Sequence, residues 1–102
     1  MKQAIRAVLN KYANHIYVHM PVPVGYGRPS LDYLCFVCGR GLAIEAKREG
    51  GRPTLRQQGA IEEMERAGAK VFIVNSYQKL QELEQWIVLQ VGEKEQPRVR
   101  NQ

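Results

Sequence analysis

Residues 31–47 read LDYLCFVCGRGLAIEAK, and this stretch decides the fold. Two apolar runs, residues 31–38 and 41–47, flank a Gly-Arg-Gly segment, a pattern that predicts two strands joined in a β-hairpin. A two-residue loop at Gly39-Arg40, which the proposed site favours, pairs Cys38 with Gly41, whereas a three-residue loop without a bulge would put Asp32 on the other face. A hairpin with this turn fixes which side chains share a face, because a shift of one residue reverses the face of every side chain.

The hairpin brings charged side chains to one face of an otherwise apolar sheet. Glu45 and Lys47 are two residues apart, so both side chains leave the same face of the strand, and Ile44 and Ala46 leave the other. The predicted register places Asp32 opposite Lys47 and diagonal to Glu45. Buried carboxylate and ammonium groups are costly unless they are paired or used in function.

Two carboxylates on one sheet face suit a hard cation such as Mg²⁺, which prefers oxygen ligands. Asp32, Glu45 and the backbone carbonyl of Ala46 are the candidate metal ligands. Lys47 is a candidate catalytic residue that stabilises charge on a phosphate. The competing interpretation is an exposed Asp with a surface Glu–Lys pair, which is common on edge strands.

The remaining sequence predicts helices and strands around this hairpin. Apolar spacing predicts a helix over residues 2–13, and β-prone residues predict a strand over 16–20. Thr54 is a candidate N-cap for a helix that ends near Gly68, and residues 71–74 predict a strand buried on both faces. The order α-β-β-β-α-β-α predicts one α/β domain with a mixed sheet over residues 1–92, followed by a flexible tail over 93–102. Four residues form the apolar stripe of the last predicted helix: Leu80, Leu83, Ile87 and Val91.

Gln57 adds a polar group to the same site. It shares a helical face with Ala60, Ile61 and Met64, which is the face expected to pack on the sheet. From there its amide is a candidate to reach Lys47 or the metal site and to orient reacting groups. The competing interpretation is a first-turn residue that bonds the backbone.

The charge of the chain indicates a polyanionic partner. The 102 residues carry a formal net charge of +5. Residues 1–56 carry a net charge of +6 and residues 57–102 a net charge of −1. No acidic residue precedes Asp32. The apolar stretches are too short to span a bilayer, and the N-terminus lacks the apolar centre of a signal peptide. With only two cysteines, we expect a cytoplasmic protein without a disulfide framework.

Basic and aromatic residues near the proposed site are candidates for DNA binding. Arg28, Arg48, Arg52 and Arg56 lie in predicted loops or at a helix start, where they can contact backbone phosphates. Tyr26 lies between two glycines and is a candidate to stack on a base. Each of them has the alternative interpretation of an ordinary surface residue.

Four segments carry a family resemblance: GYGRPSLDY at 25–33, GLAIEAK at 41–47, PTLRQ at 53–57 and AGA at 67–69. Together they resemble a VRR-NUC domain, a branch of the PD-(D/E)XK nuclease superfamily, in its small stand-alone form similar to phage proteins. The resemblance covers about residues 2–75. The sequence departs from the family pattern where two residues separate Pro29 from Asp32, where Ala46 replaces a larger aliphatic residue, and in the first helix, which has no acid.

The resemblance implies a restriction-endonuclease-like fold and Mg²⁺- or Mn²⁺-dependent hydrolysis of DNA phosphodiester bonds. It makes Asp32 and Glu45 metal ligands, Lys47 the catalytic lysine and Gln57 the motif glutamine. It also implies structure-selective cutting of branched or flapped DNA, such as Holliday junctions, by a homodimer.

Three further possibilities remain open. A non-catalytic nucleic-acid-binding module could keep the same fold. A zinc-stabilised binding protein could use Cys35, Cys38, His15 and His19, although cysteines three apart on a strand point to opposite faces. The small size of the chain also favours a homodimer, and the last predicted helix is the candidate interface through Trp86 and Leu89.

Overall fold

The computed structural model describes residues 1–22 and 30–95, with side chains as far as residue 92. Three α-helices and four β-strands make up this part of the chain, together with a short 3₁₀ turn at Ala13–His15. In chain order they are α1 Lys2–Lys11, β1 Ile16–His19, β2 Tyr33–Val37, β3 Arg40–Ala46, α2 Leu55–Arg66, β4 Lys70–Val74 and α3 Tyr77–Glu95.

The four strands form one mixed sheet in the order β1-β2-β3-β4. The pairs β1–β2 and β2–β3 are antiparallel, and β3–β4 is parallel. A parallel pair needs a crossover connection, and α2 supplies it between β3 and β4. The prediction of an α/β domain built on a mixed sheet is therefore confirmed.

The predicted register of the hairpin is wrong by two residues. The turn consists of Cys38 and Gly39 instead of Gly39-Arg40, and Val37 pairs with Arg40. Both turn residues have positive φ, 51° at Cys38 and 87° at Gly39, as a type I′ hairpin turn requires. Since the shift is even, every side chain keeps its predicted face.

The same correction changes the partner of Asp32. Tyr33 pairs with Ile44, so extending the register by one residue places Asp32 beside Glu45 and not opposite Lys47. The two carboxylates are therefore direct cross-strand neighbours, where Cβ atoms are about 5 Å apart.

Helices α1 and α3 cover one face of the sheet, and their apolar residues complete the core. Alternate residues of the strands point to this face because side chains alternate along a strand. Leu83 and Ile87 of the predicted stripe are fully buried, and Leu80 and Val91 pack against the core. The core consists of Ile5, Val8, Leu9, Tyr33, Cys35, Val37, Leu42, Ile44, Phe72, Val74, Leu83 and Ile87.

Strand β4 is less enclosed than the sequence predicts. Phe72 and Val74 are buried against α3, but Val71 and Ile73 on the α2 side are only half-buried. The reason is that β4 forms an edge of the sheet, with β3 as its single strand neighbour.

Helix α3 reaches Glu95, three residues into the predicted tail, and the remainder of that tail lies outside the described residues. An ion pair ties α3 to α1: Lys11 Nζ lies 2.7 Å from Glu84 Oε2, and the Tyr12 hydroxyl donates to the same oxygen at 2.6 Å. These bonds lower the pKa of Glu84, with the larger effect from Lys11. No described helix has the length and apolarity needed to cross a bilayer.

Candidate active site

Two backbone amides hold the carboxylates of Asp32 and Glu45 where the neighbouring chain segments meet. The backbone amide of Asp32 donates to Glu45 Oε1 at 3.0 Å, and the backbone amide of Ala46 donates to Asp32 Oδ2 at 2.8 Å. Each carboxylate is thus held by the backbone of the opposite chain segment. This geometry brings the two candidate metal ligands together.

Glu45 is a buried carboxylate with 5% of its surface exposed. Its Oε2 accepts a hydrogen bond from Gln57 Nε2 at 2.8 Å and lies 3.5 Å from Lys47 Nζ. A buried charge is tolerated only when it is paired and hydrogen-bonded, and both conditions hold here. The alternative of a freely solvated surface Glu–Lys pair does not describe this arrangement.

Lys47 follows directly after β3 and is held by the neighbouring strand. Its amide donates to the carbonyl of Val74 at 3.0 Å, which continues the parallel ladder by one residue. Its side chain is one-fifth exposed. The ammonium group is therefore anchored beside Glu45 while remaining accessible to a ligand.

Gln57 connects the site to the start of α2. Thr54 is the N-cap, as predicted, and its hydroxyl accepts from the Gln57 amide at 3.1 Å. In return Gln57 Oε1 accepts from the Thr54 amide at 3.0 Å, which completes a capping box. The side-chain amide of Gln57 thus caps the helix through its oxygen and binds Glu45 through its nitrogen. The inward face predicted for Gln57 is correct, but its side chain bonds Glu45 rather than the predicted Lys47 or a metal-bound water. The competing interpretation also holds, because Gln57 bonds the backbone of Thr54.

The backbone carbonyl of Ala46, the third candidate metal ligand, is directed toward the Asp32 side of β3. The N–H and C=O groups of one strand residue point to the same side of the strand. Since the Ala46 amide donates to Asp32 Oδ2, its carbonyl is also directed toward the Asp32 side.

Lys2 is a site residue that sequence reasoning missed. Its ammonium lies 3.7 Å from Asp32 Oδ1, so α1 contributes a cation next to the carboxylate pair. Burial raises the pKa of the neighbouring Tyr33 and the Asp32 charge raises it further, while Arg6 and Lys2 oppose this shift. No sequence signal pairs these distant residues, because their proximity depends on how α1 packs on the sheet.

The loop between β3 and α2 carries two of the predicted DNA-binding arginines. Asn75 Nδ2 donates to the Gly51 carbonyl at 2.8 Å, and the Gly50 amide donates to the Asn75 carbonyl at 3.2 Å. A Cβ atom at Gly51 would lie 3.0 Å from the Arg48 carbonyl oxygen and 3.1 Å from Lys47 Cβ. Asn75 therefore holds this loop against the end of β4, a role that sequence reasoning did not identify.

The predicted DNA-binding residues fall into two groups. Arg48, Arg52 and Arg56 are exposed around the site, where their charges are available to phosphates. Tyr26 and Arg28 lie outside the described residues.

The four candidate zinc ligands do not form a centre. Cys35 is buried in the core, and burial raises its pKa to about 12. Cys38 lies in the hairpin turn, while His19 pairs with Leu34 and so points to the face opposite Cys35. Within residues 1–22 and 30–92, no three His, Cys, Asp or Glu side chains are grouped closely enough to hold a metal ion.

A metal ion at the candidate active site would therefore have two carboxylate ligands, Asp32 and Glu45. Mg²⁺ is commonly bound by one or two carboxylates, with water and substrate phosphate as its other ligands. Each carboxylate oxygen has two lone pairs, so the hydrogen bonds of Asp32 and Glu45 leave acceptor capacity. The donor set fits a divalent cation that completes its shell with water and phosphate.

Trp86, one of the two candidate interface residues, packs within the chain. Its ring lies 6.3 Å from that of Phe72, edge to face, and the Arg40 guanidinium lies 5.8 Å from its centre. Leu89 has 62% of its surface exposed. Of this predicted pair, Leu89 alone presents a largely open side chain.

No protein-family model, curated protein or solved structure matches this chain. The function of the chain is therefore inferred from the geometry of the site and from the motif resemblance in its sequence.

Proposed function

We propose that this protein is a metal-dependent endonuclease of PD-(D/E)XK type that hydrolyses DNA phosphodiester bonds. The observation that carries the proposal is the convergence of Asp32, Glu45, Lys47 and Gln57 on one sheet face. A buried carboxylate with a lysine beside it and an amide behind it is difficult to explain as a surface ion pair. It is a typical composition for chemistry on an anionic substrate.

Asp32, Glu45 and the carbonyl of Ala46 would hold a Mg²⁺ or Mn²⁺ ion. When bound, such an ion supplies Lewis-acid chemistry to phosphoryl transfer. Gln57 fixes the orientation of the Glu45 carboxylate through its hydrogen bond at 2.8 Å. Lys47 presents an ammonium group that stabilises negative charge on a phosphate in the reaction.

Binding of the DNA backbone is assigned to the exposed arginines. Arg48 and Arg52 extend from the loop held by Asn75, and Arg56 from the first turn of α2. Residues 1–56, which include Asp32, Glu45 and Lys47, carry a formal net charge of +6. Such charges contact phosphates without reading sequence, which supports a substrate recognised by its structure.

Branched or flapped DNA is the proposed substrate class, and a homodimer the proposed active form. The substrate comes from the VRR-NUC resemblance of the four sequence segments. A dimer with two-fold symmetry would present two sites to the arms of one junction. The exposed Leu89 on α3 is the remaining candidate for its interface.

The test is cleavage of a labelled four-way junction with Mg²⁺ or Mn²⁺. Glu45→Ala and Lys47→Ala should each lower the rate by about 10²- to 10³-fold. Glu49→Ala and Lys79→Ala remove exposed charges of the same types and should leave the rate unchanged. Circular dichroism must show that the variants fold.

A non-catalytic nucleic-acid-binding module is the second candidate, because both carboxylates already have lysine partners in the protein itself. Junction binding that persists in EDTA, with no cleavage under either ion, would support this module and contradict the nuclease.

A further inference from the structure

The sheet face that carries Glu45 continues as an apolar surface over β1 and β2. Tyr17 pairs with Phe36 across these strands, and His19 pairs with Leu34. Helix α2 lies toward the β4 side of this face, where Gln57 reaches Glu45. Tyr17 and Phe36 each keep 65% of their surface exposed.

The two rings border a cavity of about 370 Å³. Met64 of α2 forms part of one wall, and Leu34 and Ala43 of the sheet form part of its floor. A volume of this size falls in the general range of ligand-binding pockets. Large apolar side chains exposed together at a groove mark an interaction surface more often than isolated ones do.

This surface is continuous with the candidate active site. Asp32, Leu34 and Phe36 leave the same side of the chain, because side chains alternate along a strand. The path from Asp32 to Phe36 is four residues, or about 13 Å at the rise of a strand. That distance corresponds to about four nucleotides at the spacing of a stacked strand.

We propose that Tyr17 and Phe36 form a stacking platform for unpaired bases of the substrate strand. The inference rests on the proposed function, since it places the bases next to phosphates bound at Asp32 and Glu45. Exposed aromatic rings stack on bases of any sequence, because every base has a π-face. In duplex DNA those faces are already stacked on one another and are not available.

The lack of acidic residues in α1 and β1 is compatible with nucleic acid as the occupant of this surface. Residues 1–31 contain no acidic residue at all, so β1 and the helix before it contribute no carboxylate side chain to repel phosphates. The platform therefore predicts preference for substrates with a single-stranded arm, such as a flap, over a closed duplex.

Binding of two fluorescently labelled oligonucleotides in EDTA tests the platform directly. One is a single-stranded thymidine oligonucleotide, and the other is an abasic strand of the same length, which keeps the phosphates and loses the bases. Tyr17→Ala and Phe36→Ala should each weaken binding of the thymidine strand about tenfold. Binding of the abasic strand should not change.

Two controls separate stacking from loss of apolar surface. Tyr17→Phe keeps the ring and should bind like the wild type, whereas Tyr17→Leu keeps apolar bulk and should bind like Tyr17→Ala. Tyr77→Ala removes an exposed aromatic ring from the start of α3 and should have no effect.

The proposal is overturned if the wild type binds both strands equally, or if the alanine variants weaken both to the same degree. It is also overturned if Phe36→Ala converts a dimer to a monomer in light scattering, since the face would then be covered by a second copy. If the nuclease proposal alone fails, base-dependent binding persists but no divalent ion supports cleavage.

Discussion

Gln57 donates a hydrogen bond from Nε2 to Oε2 of Glu45 across 2.8 Å, while its Oε1 accepts from the amide of Thr54 at 3.0 Å. One side chain thus completes the N-terminal cap of α2 and fixes a buried carboxylate. The orientation of Glu45 is coupled to the formation of the helix that covers it.

Gln57→Glu separates these two roles. A glutamate at this position still accepts from the Thr54 amide, because capping boxes use Glu as well as Gln. Toward Glu45, however, it replaces the hydrogen-bond donor by a second negative charge, which repels the buried carboxylate. We expect the proposed DNA cleavage to fall about 10- to 100-fold.

The matched control is Thr54→Ala, which removes the cap and leaves the amide of Gln57 in reach of Glu45. It should lower the free energy of unfolding by about 1 kcal/mol with little effect on cleavage. Equal activity of Gln57→Glu and the wild type would show that the bond to Glu45 has no functional role.

Substitution by alanine should have opposite effects on stability at Gly39 and at Gly59. Gly39 has a φ of 87° in the hairpin turn, a region that costs residues with a Cβ atom about 1–2 kcal/mol. Gly59 lies inside α2, and a Cβ there would contact nothing within 4 Å. Gly39→Ala should therefore destabilise the protein, and Gly59→Ala should stabilise it by about 0.5–1 kcal/mol.

Thermal unfolding measures both effects. A change of 1 kcal/mol corresponds to a shift of about 4–8 °C in Tm for a domain near this size. A lower Tm for Gly59→Ala would mean that α2 is not a regular helix at this position.

The faces of the hairpin strands and their register have different physical origins. Alternation along β2 and β3 determines that Asp32 and Glu45 share a face, since an even shift of register leaves faces unchanged. The register itself was wrong because Cys38, a residue with a Cβ, adopts positive φ in the turn. The sequence favoured Gly39-Arg40 for this position because glycine carries no such cost.

Contacts between segments distant in the chain could not be predicted from the sequence pattern. The capping box at Thr54 and Gln57 is local and was partly visible in the spacing. Lys2 beside Asp32, and Asn75 beside Gly51, come from helix packing and from the parallel pairing of β4. Neither arrangement leaves a periodic signal in a single chain.

Exposed Leu89 is the predicted centre of a dimer interface on α3. Leu89→Glu adds a charge to a surface where the wild-type side chain is 62% exposed, so the fold should tolerate it. If two copies associate through this face, burial of the new charge is unfavourable and the dimer should dissociate. Light scattering at matched concentrations measures the change, and Gln58→Glu, which adds a charge to an exposed position of α2, controls for charge alone. A wild-type monomer would contradict the interface.

The contact of Glu84 with Lys11 and Tyr12 predicts a pH-dependent difference in stability. The folded state lowers the pKa of Glu84, chiefly through its hydrogen bond to Lys11 and then through that to Tyr12. A carboxyl with a lowered folded-state pKa stabilises the fold above its unfolded pKa. That stabilisation is lost as the pH falls through the folded pKa.

Glu84→Gln should therefore lower the Tm at neutral pH, and the gap to the wild type should close progressively in acid. Denaturation curves at several pH values measure the gap, with Glu82→Gln as the control, because its partner Lys79 lies on the same exposed face of α3. A gap independent of pH would show that Glu84 acts through packing and not through its charge. Since Lys11 and Tyr12 end α1, the same titration reports whether this ion pair holds α1, and with it Lys2, against the sheet beside Asp32.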